Sequence, residues 1–462
     1  MVYVHVPFCG SFCTYCDFYS ETVAAVNPAA RIRTDDRAAA SSCQVHPGDR
    51  AAAIDCPVHC GDRAAAIDDL VHSGDRATLG NVRGGTRQGG VGAADVARVE
   101  PGISSGREFD SLGGNVRGGT LQGGVDAVDV SAVEPGNGSG RKVDCAEPDC
   151  GTVGSVFDRY TDCVCREIGR RRGEIAASAP VDTLYFGGGT PSFLPLECLQ
   201  RIVAALGGGC WSEFTVEVNP EDIVSRGEGY VRALRELGVN RVSMGVQSLD
   251  DGVLKWMNRR HSADGARRAY ELLRSAGMDN VSIDIIFGIG LPGFRDTLVR
   301  TVDEILEWRP DHISAYQLSI EEGSALARMV ERGLYTEADE AECREQYDYL
   351  CGRLSSYHHY EISNWALPGR EAVHNSAYWT RAPYVGLGPG AHSLRIDADG
   401  KQYRSWNSER LCDWEPSCEL LTDKEIREER IMLGLRTDKG VDGKRIPESD
   451  WFISDSIISE MF

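Results

Sequence analysis

No apolar run in this 462-residue chain approaches the ~18–20 residues that a membrane-spanning helix needs, so no transmembrane segment is expected. Positive charge is also scarce. Against 70 acidic residues stand 49 basic ones, a formal net charge of −21, the wrong sign for a surface that binds nucleic-acid phosphates. A signal peptide is not expected either, because its removal would carry off a cysteine motif that begins at residue 9. The sixteen cysteines therefore read as reduced thiols of a cytoplasmic protein rather than as a disulfide framework. The G-x-G-x-x-G spacing of a dinucleotide site is missing as well.

Large aromatic residues nearly vanish between residues 23 and 157, where alanine, glycine, aspartate, arginine and valine dominate. Asp36-Arg37, Asp49-Arg50, Asp62-Arg63 and Asp75-Arg76 recur at equal intervals, and the run Asn81–Thr86 returns at Asn115–Thr120. Repeats so poor in apolar side chains cannot bury a shared face, so the segment reads as a disordered insert. Within it, Cys56, His59 and Cys60 resemble a metal clip, but His59 belongs to the repeat and the cysteines have no equivalents in neighbouring units. Cys163 and Cys165, just after the insert, read as ordinary thiols.

The chemistry is concentrated elsewhere. A short strand, Val2–Val6, runs directly into Cys9, Cys13 and Cys16, spaced Cys-x3-Cys-x2-Cys. Thiolates at this spacing suit an iron–sulfur cluster, and three leave one iron of a cuboidal cluster without a protein ligand. An open metal position is a site for chemistry rather than for structure alone. In the strand, Tyr3 and His5 share one face and the valines the other, so the aromatic pair is expected to face inward.

Beyond the insert, strands are expected over 183–186, 214–218, 241–246, 281–286 and 312–318, alternating with helices. In one helix Ala266, Ala269, Tyr270 and Leu273 share a face, Ser262 can cap the start and Gly277 ends it. Six β/α units in all indicate an α/β fold with a parallel barrel or open barrel. Reactive groups then belong at the C-terminal ends of the strands. Gly187-Gly188-Gly189-Thr190 follows one strand, and its glycines allow close approach of a ligand and donation from backbone amides. Glu217, Gln247 and Asp284 are polar at positions where a purely structural barrel prefers apolar residues, and Arg259 lies nearby in sequence. A buried carboxylate costs several kcal/mol unless paired, so Glu217 and Asp284 require partners.

The run Tyr3–Phe18 resembles the cluster loop of the radical S-adenosylmethionine (SAM) proteins. That resemblance implies a partial (β/α)6 barrel and a [4Fe–4S] cluster on Cys9, Cys13 and Cys16. It also implies a SAM site formed by Tyr3, Gly188, Gly189, Thr190, Glu217, Gln247, Arg259, Asp284 and Gln317. Further motifs, His312–Glu321, Tyr360–Ala366, His374–Trp379 and Tyr384–Ser393, are similar to segments of the HemW-type haem chaperones, relatives of the oxygen-independent coproporphyrinogen III oxidases. The oxidases carry a fourth cysteine two residues after the third; here that position is Phe18, which favours the chaperone branch. The resemblance implies haem as cargo, with His374 as a candidate axial ligand. It implies haem-accepting proteins as partners, and an electron donor such as flavodoxin or ferredoxin if the protein is redox active; it is compatible with a homodimer. The alternative is a coproporphyrinogen III dehydrogenase acting through a 5′-deoxyadenosyl radical. The expected organisation is 1–22 for the first strand and cluster loop, 23–157 for the insert and 158–320 for the rest of the barrel. A C-terminal α/β region over 321–462 is expected to be shortened relative to the family.

Overall fold

The computed structural model describes residues 1–16, 21–22, 155–178 and 181–462. Phe18, the repeats and the Cys56/His59/Cys60 group lie outside the described residues.

The core is one nine-stranded sheet. Its centre is six parallel strands: β1 (Val2–Val6), β4 (Thr183–Gly188), β5 (Glu213–Val218), β6 (Arg241–Gln247), β7 (Val281–Phe287) and β8 (His312–Gln317). Two short strands, β2 (Phe8–Cys9) and β3 (Glu21–Thr22), pair separately at the cluster loop. Between the central strands run α1 (Val156–Arg170), α2 (Arg172–Ala177), α3 (Leu196–Ala205), α4 (Pro220–Glu236), α5 (Asp251–Trp256), α6 (Ala263–Ser275) and α7 (Phe294–Trp308). The six β/α units anticipated from the alternation of patterns are present. In α6 the predicted face is the buried one, and Ser262 accepts from the Gly265 amide at the N-terminus.

Strand β1 shows how the period sorts side chains. Val2, Val4 and Val6 join the main hydrophobic core with Val164 and Ile168 of α1. Tyr3 packs on the other face in a smaller cluster with Tyr185, Tyr378 and Tyr384. Every residue of β1, β4, β5 and β7 is buried, as expected of parallel strands covered on both faces.

The boundaries differ from expectation in two places. Helix α1 starts at Val156, inside the stretch assigned to the insert, because Ser155 and Asp158 form a capping box there. Residue 320 is not a break in the sheet. After α8 (Ala325–Glu331) and α9 (Glu340–Arg353), β10 (Asn364–Ala366) adds antiparallel to β8, and β9 (His358–Glu361) pairs antiparallel with β10 at the edge. Then follow α10 (Val373–Trp379) and β11 (Val385–Leu387), which adds parallel to β1 at the opposite edge. A three-stranded antiparallel sheet, β12 (His392–Ile396), β13 (Gln402–Asn407) and β14 (Pro416–Leu420), precedes α11 (Asp423–Gly434) and α12 (Ser454–Ser459).

Candidate functional site: a cysteine pocket and an adjoining cavity

Cys9, Cys13 and Cys16 are half-buried and line one pocket at the C-terminal ends of the strands. Their loop is held by a neighbouring segment rather than by its own secondary structure. The Thr14 amide donates to the Met257 carbonyl, the Thr14 hydroxyl to Trp256, and the Asn258 side-chain amide to Phe12. Gly10 faces the Arg260 guanidinium so closely that a β-carbon there would clash with it. The Arg259 guanidinium donates to the Cys13 Sγ at 3.3 Å, and to Asn219 Oδ1 and the Gly245 carbonyl. Three convergent soft sulfur donors, with a fixed cation beside one of them, fit an anionic iron–sulfur cluster held by three protein thiolates.

The same pocket is lined by Gly188, Gly189, Thr190, Glu217, Gln247, Arg259, Asp284 and Gln317. The glycines act differently from expectation. The Gly189 and Thr190 amides donate to the carbonyls of Val6 and Phe8, and the Gly188 amide bonds the Glu217 carboxyl. The Gly189 and Thr190 amides thus tie the end of β4 to the chain entering the cluster loop and are not turned toward a ligand. Close approach is what demands glycine: at Gly188 φ is +99° and a β-carbon would lie 2.5 Å from the His5 ring, while at Gly189 it would meet two backbone oxygens at 2.8 Å.

The buried carboxyls find partners within the protein, and not in Arg259. The Tyr185 hydroxyl donates to Glu217 Oε1 at 2.8 Å. Burial nevertheless pushes the Glu217 carboxyl up to about 8, with the charge of Asp284 adding to the rise. Asp284 accepts from the hydroxyls of Ser243, at 2.9 and 3.0 Å, and Ser282. Below them Arg241, 1% exposed, supplies the positive charge. Arg241, at the start of β6, and Asn219, which links Arg259 to Thr190, take their roles from partners on other elements, which no local pattern in the sequence shows.

Tyr3 and His374 do not line this pocket. Tyr3 is 1% exposed, its hydroxyl 3.3 Å from His5 Nδ1. His374 is fully buried, with Nδ1 2.8 Å from the Thr183 hydroxyl and Nε2 3.1 Å from the Tyr378 hydroxyl. Its backbone amide donates to Glu213. Sequence offered this ring as an axial ligand; in the fold neither nitrogen is open to a metal. Burial, with the N-terminal ammonium and Arg241 nearby, holds the imidazole well below its usual pKa.

A second cavity, about 280 Å³, lies between the barrel and the C-terminal elements, near the lower end of the ~300–1,000 Å³ usual for ligand sites. Tyr347, Tyr378, Trp379 and Phe452 supply aromatic wall. Arg381 and Arg404 both contact Glu429, so two guanidinium groups share one carboxylate. Burial and the charge of Arg404 push Arg381 down to about 10. Gln317, Leu318 and Ser319 line this cavity and the cysteine pocket alike.

A parallel β/α barrel with a three-cysteine loop after its first strand defines a radical SAM protein, and residues 156–307 match the Radical SAM superfamily model. Several curated relatives are named heme chaperone HemW. The one from Lactococcus lactis is 33% identical over 272 residues, covering 56% of this chain and 70% of that protein. The one from Bacillus subtilis is 33% identical over 281 residues, 58% of this chain and 72% of that protein. The solved structure of coproporphyrinogen III oxidase (HemN) from Escherichia coli matches with a TM-score of 0.49 and 19% identity, over 61% of this chain and 69% of that one. The chain belongs to the HemW family.

Proposed function

We propose that this protein is a cytoplasmic haem chaperone that holds a [4Fe–4S] cluster on Cys9, Cys13 and Cys16, binds SAM in the adjoining pocket, and passes haem to haem-accepting proteins. The family implies the cluster and SAM, which when bound together supply one-electron chemistry. Toward SAM, Arg259 and Gln247 offer fixed polar contacts, Glu217 and Asp284 offer carboxyl oxygens, and Gly188, Gly189, Thr190 and Gln317 line the pocket. Haem is assigned to the second cavity. The single observation that carries this reading is that an aromatic-walled cavity, in which the Arg381 and Arg404 guanidinium groups share the Glu429 carboxylate, abuts the cysteine pocket at Gln317–Ser319. A planar tetrapyrrole with carboxylate side chains matches aromatic walls and guanidinium groups. Among the described residues no helix is long and apolar enough to cross a membrane.

The shared wall also favours a second reading, a coproporphyrinogen III dehydrogenase, because a ligand in the cavity would sit beside the cofactor pocket. In that reading an electron donor such as flavodoxin or ferredoxin is a partner. One paired assay separates the two. Protein reconstituted anaerobically is titrated with hemin, then incubated with coproporphyrinogen III, SAM and a reductant. Hemin binding without conversion is the expected result. Efficient conversion would replace the chaperone reading with the dehydrogenase, and absence of hemin binding would remove it.

A further inference from the structure

Beside the second cavity, but not lining it, three metal-ligating side chains from three separate elements converge. Cys351 comes from the last turn of α9, His359 from β9, and Glu448 opens the 3-10 turn Glu448–Ile453. Their ligand atoms all lie within 4.8 Å of one another. We propose that Cys351, His359 and Glu448 form a binding site for a divalent cation of the zinc class, independent of the iron–sulfur cluster and of haem.

The donor set is thiolate, imidazole and carboxylate, a combination zinc takes readily in tetrahedral sites, with water able to fill the fourth position. The histidine is prepared for the role. Its ring stacks on Trp365, with centroids 4.0 Å apart at 14°, and meets Trp451 edge-on at 4.4 Å, so its orientation is locked. Nδ1 points at Glu448 Oε1, 2.7 Å away, while Nε2 lies 3.4 Å from the Ile362 carbonyl. A ligating histidine characteristically gives its second ring N–H to a backbone carbonyl in this way, leaving the other nitrogen for the metal. Tetrahedral zinc ligands stand about 3.3–3.6 Å apart, so the Glu448–His359 pair must open slightly and the sulfur must move in. The Glu448 side chain is 58% exposed and free to make that adjustment, whereas the His359 side chain, at 4%, stays fixed.

Without a cation the arrangement is ill-suited to the thiol. Burial, reinforced by the negative charge of Glu448, pushes Cys351 up to about 12. A bound dication reverses both influences, since it deprotonates the thiol and neutralises the carboxylate. Exposure of Glu448 also supplies an entry path. The site has a structural consequence: it would pin the Glu448–Ile453 turn, whose Phe452 lines the second cavity together with Tyr347.

The test uses the full chain carrying its reconstituted cluster, equilibrated with zinc and freed of excess. Zinc per chain is measured by elemental analysis for the parent, Glu448→Gln and Cys351→Ser, alongside melting temperature with and without zinc. The parent is expected to hold one zinc ion more than either variant and to melt higher with zinc. Its zinc-edge X-ray absorption should show one sulfur among nitrogen and oxygen neighbours. Glu448→Gln alters an exposed side chain, so loss of zinc there cannot be ascribed to misfolding. Equal zinc in all three proteins, or a zinc shell made of several sulfurs, would overturn the proposal, because the metal would then sit in the cysteine loop or elsewhere.

Discussion

Glu217 shows what one side chain contributes. Its carboxyl is enclosed beneath the cysteine pocket, bonded by Tyr185 and the Gly188 amide, and titrates at about 8 against 4.5 for the free group. A folded pKa raised above the unfolded one means the native state binds the extra proton between these values. Stability therefore falls as pH rises from about 4.5 to about 8 and levels off above, by at most about 5 kcal/mol. Glu217→Gln keeps an acceptor for Tyr185 and removes the titration. Chemical denaturation of the ligand-free protein at pH 5 and pH 8 should show a smaller drop for the variant than for the parent, the remainder coming from groups such as Glu361, whose buried carboxyl is pushed up to about 7. An equal drop in both would show that another group carries the pH dependence. That Glu217 and Asp284 are buried carboxyls in need of partners was legible from their place within barrel strands. The partners Tyr185 and Ser243 were not, because they come from neighbouring strands and only strand order brings them together; Ser282 shares a strand with Asp284, two residues before it.

Among the elements, α1 ties the start of the chain to the rest of the barrel. The Tyr160 hydroxyl donates to the His5 carbonyl at 2.6 Å, and Phe157 meets Phe8 edge-on with ring centroids 4.9 Å apart. Replacing residues 23–154 with a short glycine–serine linker spares the Ser155 cap and these contacts. Iron uptake on reconstitution should then match the parent. Extending the replacement to residue 161 removes them, and iron content should fall severalfold, with a loss of a few kcal/mol of stability from the deleted aromatic burial. Equal iron in both replacements would show that α1 does not position the cluster loop. The helices and strands were readable where apolar residues repeat with a clear period, as in α6. The start of α1 lies inside the expected insert because Val156 and Phe157 adjoin a stretch without apolar periodicity.

On the scale of the whole molecule, the C-terminal segments do not form a separate appendage. Strands β9, β10 and β11 complete the barrel sheet at both edges, and this places α10 against the start of β4. His374 is thereby enclosed, holding Tyr378, which lines the second cavity. We expect His374→Gln to leave the Soret position of hemin-loaded protein unchanged, although it weakens the fold by about 1–3 kcal/mol through unmatched polar groups. Trp379→Ala, by contrast, should lower hemin affinity about tenfold or more by removing cavity wall. A shifted Soret band in His374→Gln would return the ring to the role of axial ligand. Cysteine spacing, strand–helix alternation and the inward face of β1 follow from order along the chain, because each depends on residues within a turn or two of one another. The enclosure of Arg241 and His374, the cavity beside the cysteine pocket and the Cys351–His359–Glu448 cluster depend on segments that meet only in the packed sheet. Contacts between residues so far apart in sequence leave no periodic trace, so folding alone brings them into view.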